Sequence, residues 1–240
     1  MKLRSLHAVY DRYETLTRLA RDRFAGSLAG KLLLGAGLDS EQSATLVAAS
    51  IAGACSLCVE PEAERLREAL RAGLCDFVVT PLDEALRILK NELRRGLPVV
   101  VGLASDPDSA LAAMIDRGLQ PDLVSLPLGE PLRSFVDRGA LALSERDSSD
   151  PATVLMEWTF SSDAARSMPQ IAQIAARILD PARPDTPLRQ HWLATAPRHL
   201  GRGFAARQCL GMSAAESTAF IATARTQFPA IHLTREGQDL

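Results

Sequence analysis

Lys31-Leu32-Leu33-Leu34-Gly35-Ala36-Gly37-Leu38-Asp39-Ser40-Glu41-Gln42 is the stretch that sets the fold. A short aliphatic run stopped by two glycines has the pattern of a buried strand entering a tight turn, because glycine leaves regular structure at little steric cost. A helix is expected over residues 43–52, and a second aliphatic run, 55–59, follows it. Strand, turn, helix and strand within some thirty residues make a βαβ unit, which implies parallel strands and a right-handed crossover.

The rhythm continues on both sides of this unit. Upstream, Leu6, Val9, Tyr10, Tyr13, Leu16, Leu19 and Ala20 recur at helical spacing and predict an amphipathic helix over 6–24. Downstream, strands are expected at 77–80, 98–103, 123–126 and 141–143. Helices are expected at 61–72, 82–95, 106–117 (with Ser105 as N-cap) and 131–138. The fold class is therefore α/β, a doubly wound Rossmann-like parallel sheet in a domain spanning residues 1–144. Beyond it the polar segment 145–150 changes the composition, strand signals fade, and Pro181, Pro184, Pro187 and Pro197 punctuate the chain. Residues 145–240 are expected to form a helical appendage, with one helix over 168–179 and another opened by the capping-box sequence Ser213-Ala214-Ala215-Glu216. Trp158 and Trp192 are expected to anchor it by burial.

Composition excludes several classes. In the 240-residue chain 47% of residues are apolar and 23% charged, with a formal net charge of -2 and a pI near 6.1. These values are those of an ordinary globular protein, and arginines interspersed with acids make no nucleic-acid footprint. No apolar run approaches the roughly 18 residues a bilayer span needs, so no membrane partner and a cytoplasmic location are expected. Cys55, Cys58, Cys75 and Cys209 sit in apolar surroundings and read as reduced structural thiols. Cys55 and Cys58 spell C-x-x-C, but on a strand positions i and i+3 face opposite sides, so the two thiols cannot share a metal. His7, His191, His199 and His232 have no ligand spacing, and no metal is expected. Arg198, Arg202 and Arg207 read as a solvated face, the alternative being a site for a phosphate or for carboxylates.

In a doubly wound sheet the ligand lies beyond the carboxyl ends of the strands, where the first crossover begins. Gly35 and Gly37 stand there, ahead of a helix whose first N–H groups suit an anion. Asp39 and Glu41 stand there too, and they would repel a diphosphate. Glu60 ends the second strand, about 20 residues on, where a Rossmann domain keeps the acid that accepts a ribose hydroxyl; a solvated helix-start acid is the competing reading.

These same residues resemble urocanase, the NAD-dependent lyase that hydrates urocanate in histidine breakdown. The resemblance runs through Tyr13-Glu14-Thr15, Arg23-Phe24-Ala25-Gly26, Leu28-Ala29-Gly30-Lys31-Leu32 and Ala36-Gly37-Leu38. It continues through Ala52-Gly53-Ala54, Val59-Glu60, Leu82-Asp83-Glu84-Ala85-Leu86, Gly96-Leu97-Pro98-Val99-Val100-Val101-Gly102-Leu103, Arg117-Gly118 and Pro121-Asp122-Leu123-Val124. It implies a Rossmann core, NAD as cofactor, and a dimer built through that core. The positions assigned to a dinucleotide are Gly35, Gly37, Leu38, Gln42, Glu60 and Gly102. It also implies chemistry in which oxidised nicotinamide is the electrophile and the protein places the substrate against it.

The departures from the family pattern point elsewhere. The family loop Gly-Leu-Gly-Gly-Met-x-Gly-Ala-Gln stands here as Gly37-Leu38-Asp39-Ser40-Glu41-Gln42, in which Gly37, Leu38 and Gln42 carry over. The family segment Thr-Asp-Gln-Thr-Ser-Ala-His-Asp-Pro is replaced by Ser125-Leu126-Pro127-Leu128-Gly129-Glu130-Pro131, and no counterpart of the family's flanking domains is recognisable. The expectation is a divergent, non-catalytic relative, a pseudoenzyme that uses the scaffold for nucleotide sensing or for binding a protein partner, with NAD held weakly or not at all. The alternative is a hydro-lyase acting on urocanate or a related imidazole acid, alone, as a homodimer or with a partner chain.

Overall fold

The computed structural model describes residues 5–125, 130–143, 153–161, 166–201 and 204–239. The chain divides into two compact units, Met1–Asp147 and Ser148–Leu240.

In the first unit the elements are α1 (Leu6–Arg23), β1 (Leu32–Ala36), α2 (Ser40–Ile51), β2 (Cys55–Glu60), α3 (Ala63–Arg71), β3 (Phe77–Val79), α4 (Leu82–Arg95), β4 (Val100–Ala104), α5 (Pro107–Asp116), β5 (Leu123–Val124), α6 (Glu130–Asp137) and β6 (Leu141–Ala142). The six strands form one sheet in the order β3-β4-β2-β1-β5-β6, and every pairing is parallel. The doubly wound Rossmann-like fold read from the sequence is the fold observed.

Alternation along each strand sorts side chains between the two faces. Leu32 and Leu34 of β1, Cys55, Leu57 and Val59 of β2, and Val101 and Leu103 of β4 join one buried core with Ala85 and Leu89 of α4, Leu111 and Met114 of α5, and Leu132 and Phe135 of α6. Gly35, Cys58 and Gly102 fall on the opposite face, beneath α2 and α3. Cys55 and Cys58 are thus on opposite sides, and all four cysteines are free and buried. Burial pushes the thiol of Cys55 up to about 11 and that of Cys75 up to about 12.

At two of the helix starts that differ from the sequence reading, an aspartate supplies the cap. Helix α2 begins at Ser40, not near 43, since the Asp39 side chain accepts from the Gln42 N–H at 2.8 Å. For α5 the cap is Asp106 and not Ser105: its carboxylate accepts from Ser109 N–H at 2.9 Å, and Pro107 opens the first turn. Helix α4 ends at Gly96, which takes φ +65°, a left-handed stop that only glycine adopts cheaply.

In the second unit the elements are β7 (Thr153–Thr159), α7 (Met168–Ile178), α8 (Thr186–His199), β8 (Arg207–Ser213), α9 (Ala214–Gln227), β9 (His232–Arg235) and β10 (Gln238–Asp239). This corrects the expectation of a purely helical appendage: four strands make an antiparallel sheet in the order β10-β9-β7-β8. Five central residues of β8 are buried on both faces, so the strand lacks the polar and apolar alternation that would mark it. The prolines do not cut α8 short either, because Pro187 lies in its first turn and Pro197 in its last. Trp158 and Trp192 are fully buried, and the Trp192 indole N–H donates to the Cys209 carbonyl at 2.7 Å.

A buried ion pair ties α8 to α9. Arg189 and Glu216 are 3% and 4% exposed, and their charged groups meet at 2.7 Å. Glu216 also accepts from the N–H groups of Asp180 at 2.8 Å and Ser213 at 2.7 Å. Burial pushes its carboxyl upward, but Arg189 and the two backbone donors outweigh that and hold it at about 2, below the ordinary 4.5. A carboxylate depressed in the folded state stabilises above its unfolded pKa and loses that contribution as pH falls through the folded value. Tryptophan fluorescence should therefore report destabilisation of this unit as pH drops from about 4.5 toward 2, and Glu216→Gln should flatten the dependence in that window.

Candidate functional site

The chain leaves β1 toward β2 on one side and, after α5, returns to β5 on the other side, so the switch point of the sheet lies at the carboxyl ends of β1 and β5. Gly35 is opposite Cys58, and Cys58 is opposite Gly102. On the far side the Ser125 N–H donates to the Leu34 carbonyl at 2.9 Å, which sets Ser125 beside Gly35. One row of small residues thus crosses the sheet just below the crossover loop.

Gly35 is where the loop, the helix and β5 converge. A Cβ there would stand 1.8 Å from Gln42 Nε2 and 2.5 Å from Ser125 Oγ. Gln42 is 2% exposed, and neither of its amide atoms has a hydrogen-bond partner among the described residues. Among the described residues Ser125 Oγ reaches only the Leu34 carbonyl, at 3.5 Å. A buried carboxamide without partners costs on the order of 1–3 kcal/mol, so its position is held by the packing around it.

Glu60, 1% exposed, closes β2. Its Oε1 accepts from the Glu62 N–H at 3.0 Å, while Oε2 has no donor in hydrogen-bond range among the described residues and faces the Arg65 guanidinium at 3.9 Å. Gly37 takes φ +78° and donates its N–H to the Val59 carbonyl at 2.8 Å; its own carbonyl accepts from the Cys58 thiol at 3.3 Å. Burial raises that thiol well above its ordinary range, and the neighbouring Cys75, Glu60 and Asp39 add to the effect, so Cys58 is held as a neutral donor. Leu38 turns inward at 3% exposure.

Of the sequence-predicted positions, the structure brings Gly35 and Gln42 together and sets Gly37, Leu38 and Glu60 around them at the same sheet end. Gly102 serves another purpose, since a Cβ there would come within 2.6 Å of Leu66 Cδ2, and the glycine makes room for α3 against β4. Sequence reasoning misses Ser125, because in 125–131 it weighs only the family polar groups lost there; residues 126–129 lie outside the described residues. It reads half of what Asp39 does. The charge is weighed against a ligand, whereas the carboxylate also caps α2 by taking the Gln42 N–H, and Glu41 turns outward, 74% exposed, toward Arg12 at 3.5 Å.

This arrangement bears on a dinucleotide. One carboxylate oxygen at Glu60, without a hydrogen-bond donor among the described residues, is the kind of acceptor a ribose hydroxyl uses, although it is buried. The diphosphate position does not fit. The Gln42 N–H that would face it is bonded to Asp39, an exposed carboxylate with the same sign of charge as a diphosphate.

Among the described residues, no group of three or more His, Cys, Asp or Glu could hold a metal ion, and no helix is long and apolar enough to cross a membrane. The family model described as the urocanase Rossmann-like domain matches residues 9–129. That match runs from within α1 through β5, with the crossover loop and Glu60, and covers half of the chain. With six parallel strands in Rossmann-like order and that continuous match, the chain belongs to the urocanase family.

Proposed function

We propose that this chain is a non-catalytic member of the urocanase family, whose Rossmann-like unit serves as a scaffold for binding a protein partner and no longer holds NAD in the family manner. The observation that carries this reading is the capped start of α2, where Asp39 accepts from the Gln42 N–H at 2.8 Å. Without a seated diphosphate, oxidised nicotinamide has no fixed place from which to act on a substrate. With Gln42 buried over Gly35, its side chain is not free to reach for one.

The second reading is a hydro-lyase acting on urocanate or a related imidazole acid, with a partner chain supplying further walls. Glu60 Oε2 and the Gln42 amide favour it, since among the described residues these polar groups have no hydrogen-bond partners at the sheet end where the family keeps its cofactor. A turnover assay separates the two. Purified protein with urocanate and NAD should leave the urocanate absorbance unchanged over hours, and steady loss of absorbance that depends on protein concentration would establish the lyase.

A further inference from the structure

The sequence of the second unit has an uneven charge distribution. Residues 186–215 contain four arginines and no acid, and α7 contains no acid either. Helices α7 and α8 pack side by side and leave a half-open cavity of about 430 Å³ between them and the start of β8. Its walls are mostly apolar, from Met168, Ala172, Ala176, Leu193, Pro197 and Phe204.

The charged and buried polar groups at this cavity are committed elsewhere, with one exception. Gln208 is 1% exposed and donates to the Leu193 carbonyl at 3.4 Å. Arg207 is held by Glu157, with contacts of 2.9 and 2.5 Å, and lies over the Phe204 ring. Arg198 lines the same cavity, is exposed, and has no hydrogen-bond or ion-pair partner among the described residues. An apolar cavity with one unpaired cation at its edge is complementary to a molecule with an apolar body and a single negative end.

We propose that this cavity is a binding site for a medium-chain carboxylate, an acyl chain whose carboxylate meets Arg198 while the chain lies along α7 and α8. The volume suits on the order of a dozen non-hydrogen atoms at about 30 Å³ each, which is an eight- to twelve-carbon acid. An acidic peptide helix would offer the same charges, but it needs a longer trough than a cavity of this size.

Calorimetric titration of the full chain with octanoate tests this. A dissociation constant on the order of 10–100 µM is expected from the buried methylenes less the cost of association. Octylammonium, equal in length and opposite in charge, should bind at least about tenfold more weakly. Arg198→Gln should weaken octanoate about fivefold, and Ala194→Trp, at an exposed α8 position lining the cavity, should abolish binding. Arg177→Gln on α7, outside the cavity lining, should leave it unchanged. The proposal fails if octanoate gives no heat, if octylammonium binds equally well, or if Ala194→Trp binds like the unaltered chain.

Discussion

Replacing Arg189 by methionine is expected to destabilise the second unit by about 3–5 kcal/mol, because Glu216 would be left buried without its partner. Arg189 does more than pair with Glu216 at 2.7 Å. It donates to Thr186 Oγ1 at 2.9 Å and to the Gly211 carbonyl at 3.3 Å, and it reaches Asp185 at 3.3 Å. One guanidinium thus ties α8 to β8 and to the start of α9. Both tryptophans of the chain lie in this unit, so denaturant unfolding followed by their fluorescence reports it directly. The double variant Arg189→Met/Glu216→Met should recover part of the loss, since it removes the stranded charge with its partner. A single variant as stable as the parent would mean that the pair contributes nothing.

Gly35→Val is expected to cost about 3 kcal/mol or more, at the upper end for overpacking a filled site. The first added carbon alone would fall 1.8 Å from Gln42 Nε2 and 2.8 Å from Gln42 Cδ, and Ser125 Oγ stands at 2.5 Å on the other side. Ser125 can rotate its hydroxyl, but Gln42 is enclosed at 2% exposure and has nowhere to swing without disturbing α2. Adding Gln42→Ala to the same chain should return more than half of the loss, because the clash is chiefly with that side chain. Chemical denaturation followed by circular dichroism reads both variants. Full stability in Gly35→Val would contradict the convergence of Gln42 and Ser125 on this position.

The parts of this structure legible in the sequence are those specified locally. The run Leu32 to Leu34 with Gly35 and Gly37 marks β1 and its turn because aliphatic residues buried on both faces of a parallel strand leave no alternation to blur them. The capping box at Ser213 and Glu216 marks α9 for the same reason: both hydrogen bonds close within four residues. Strands β7 and β8 are not legible because their meaning lies in each other. Residues about 50 positions apart, such as Glu157 and Cys209, stand opposite one another in the sheet, and no short window contains both.

The site shows the same division. Gly37 and Glu60 follow from spacing along a βαβ unit, as does the presence of acids beside the crossover. What Asp39 does cannot be read from the chain alone, since an aspartate before a helix either repels an anion or caps the helix, and only the bond to Gln42 N–H distinguishes these. Ser125 belongs to the site through the pairing of β5 with β1, across 91 positions from Leu34. Sequence proximity offers no sign of it.

With Asp39 capping α2 at the crossover loop, a diphosphate is expected to find no seat there. Titrating NAD into the intact protein by calorimetry tests it most directly. No binding heat is expected up to millimolar NAD, whereas a micromolar dissociation constant that disappears in Glu60→Ala would show a dinucleotide seated at this sheet end.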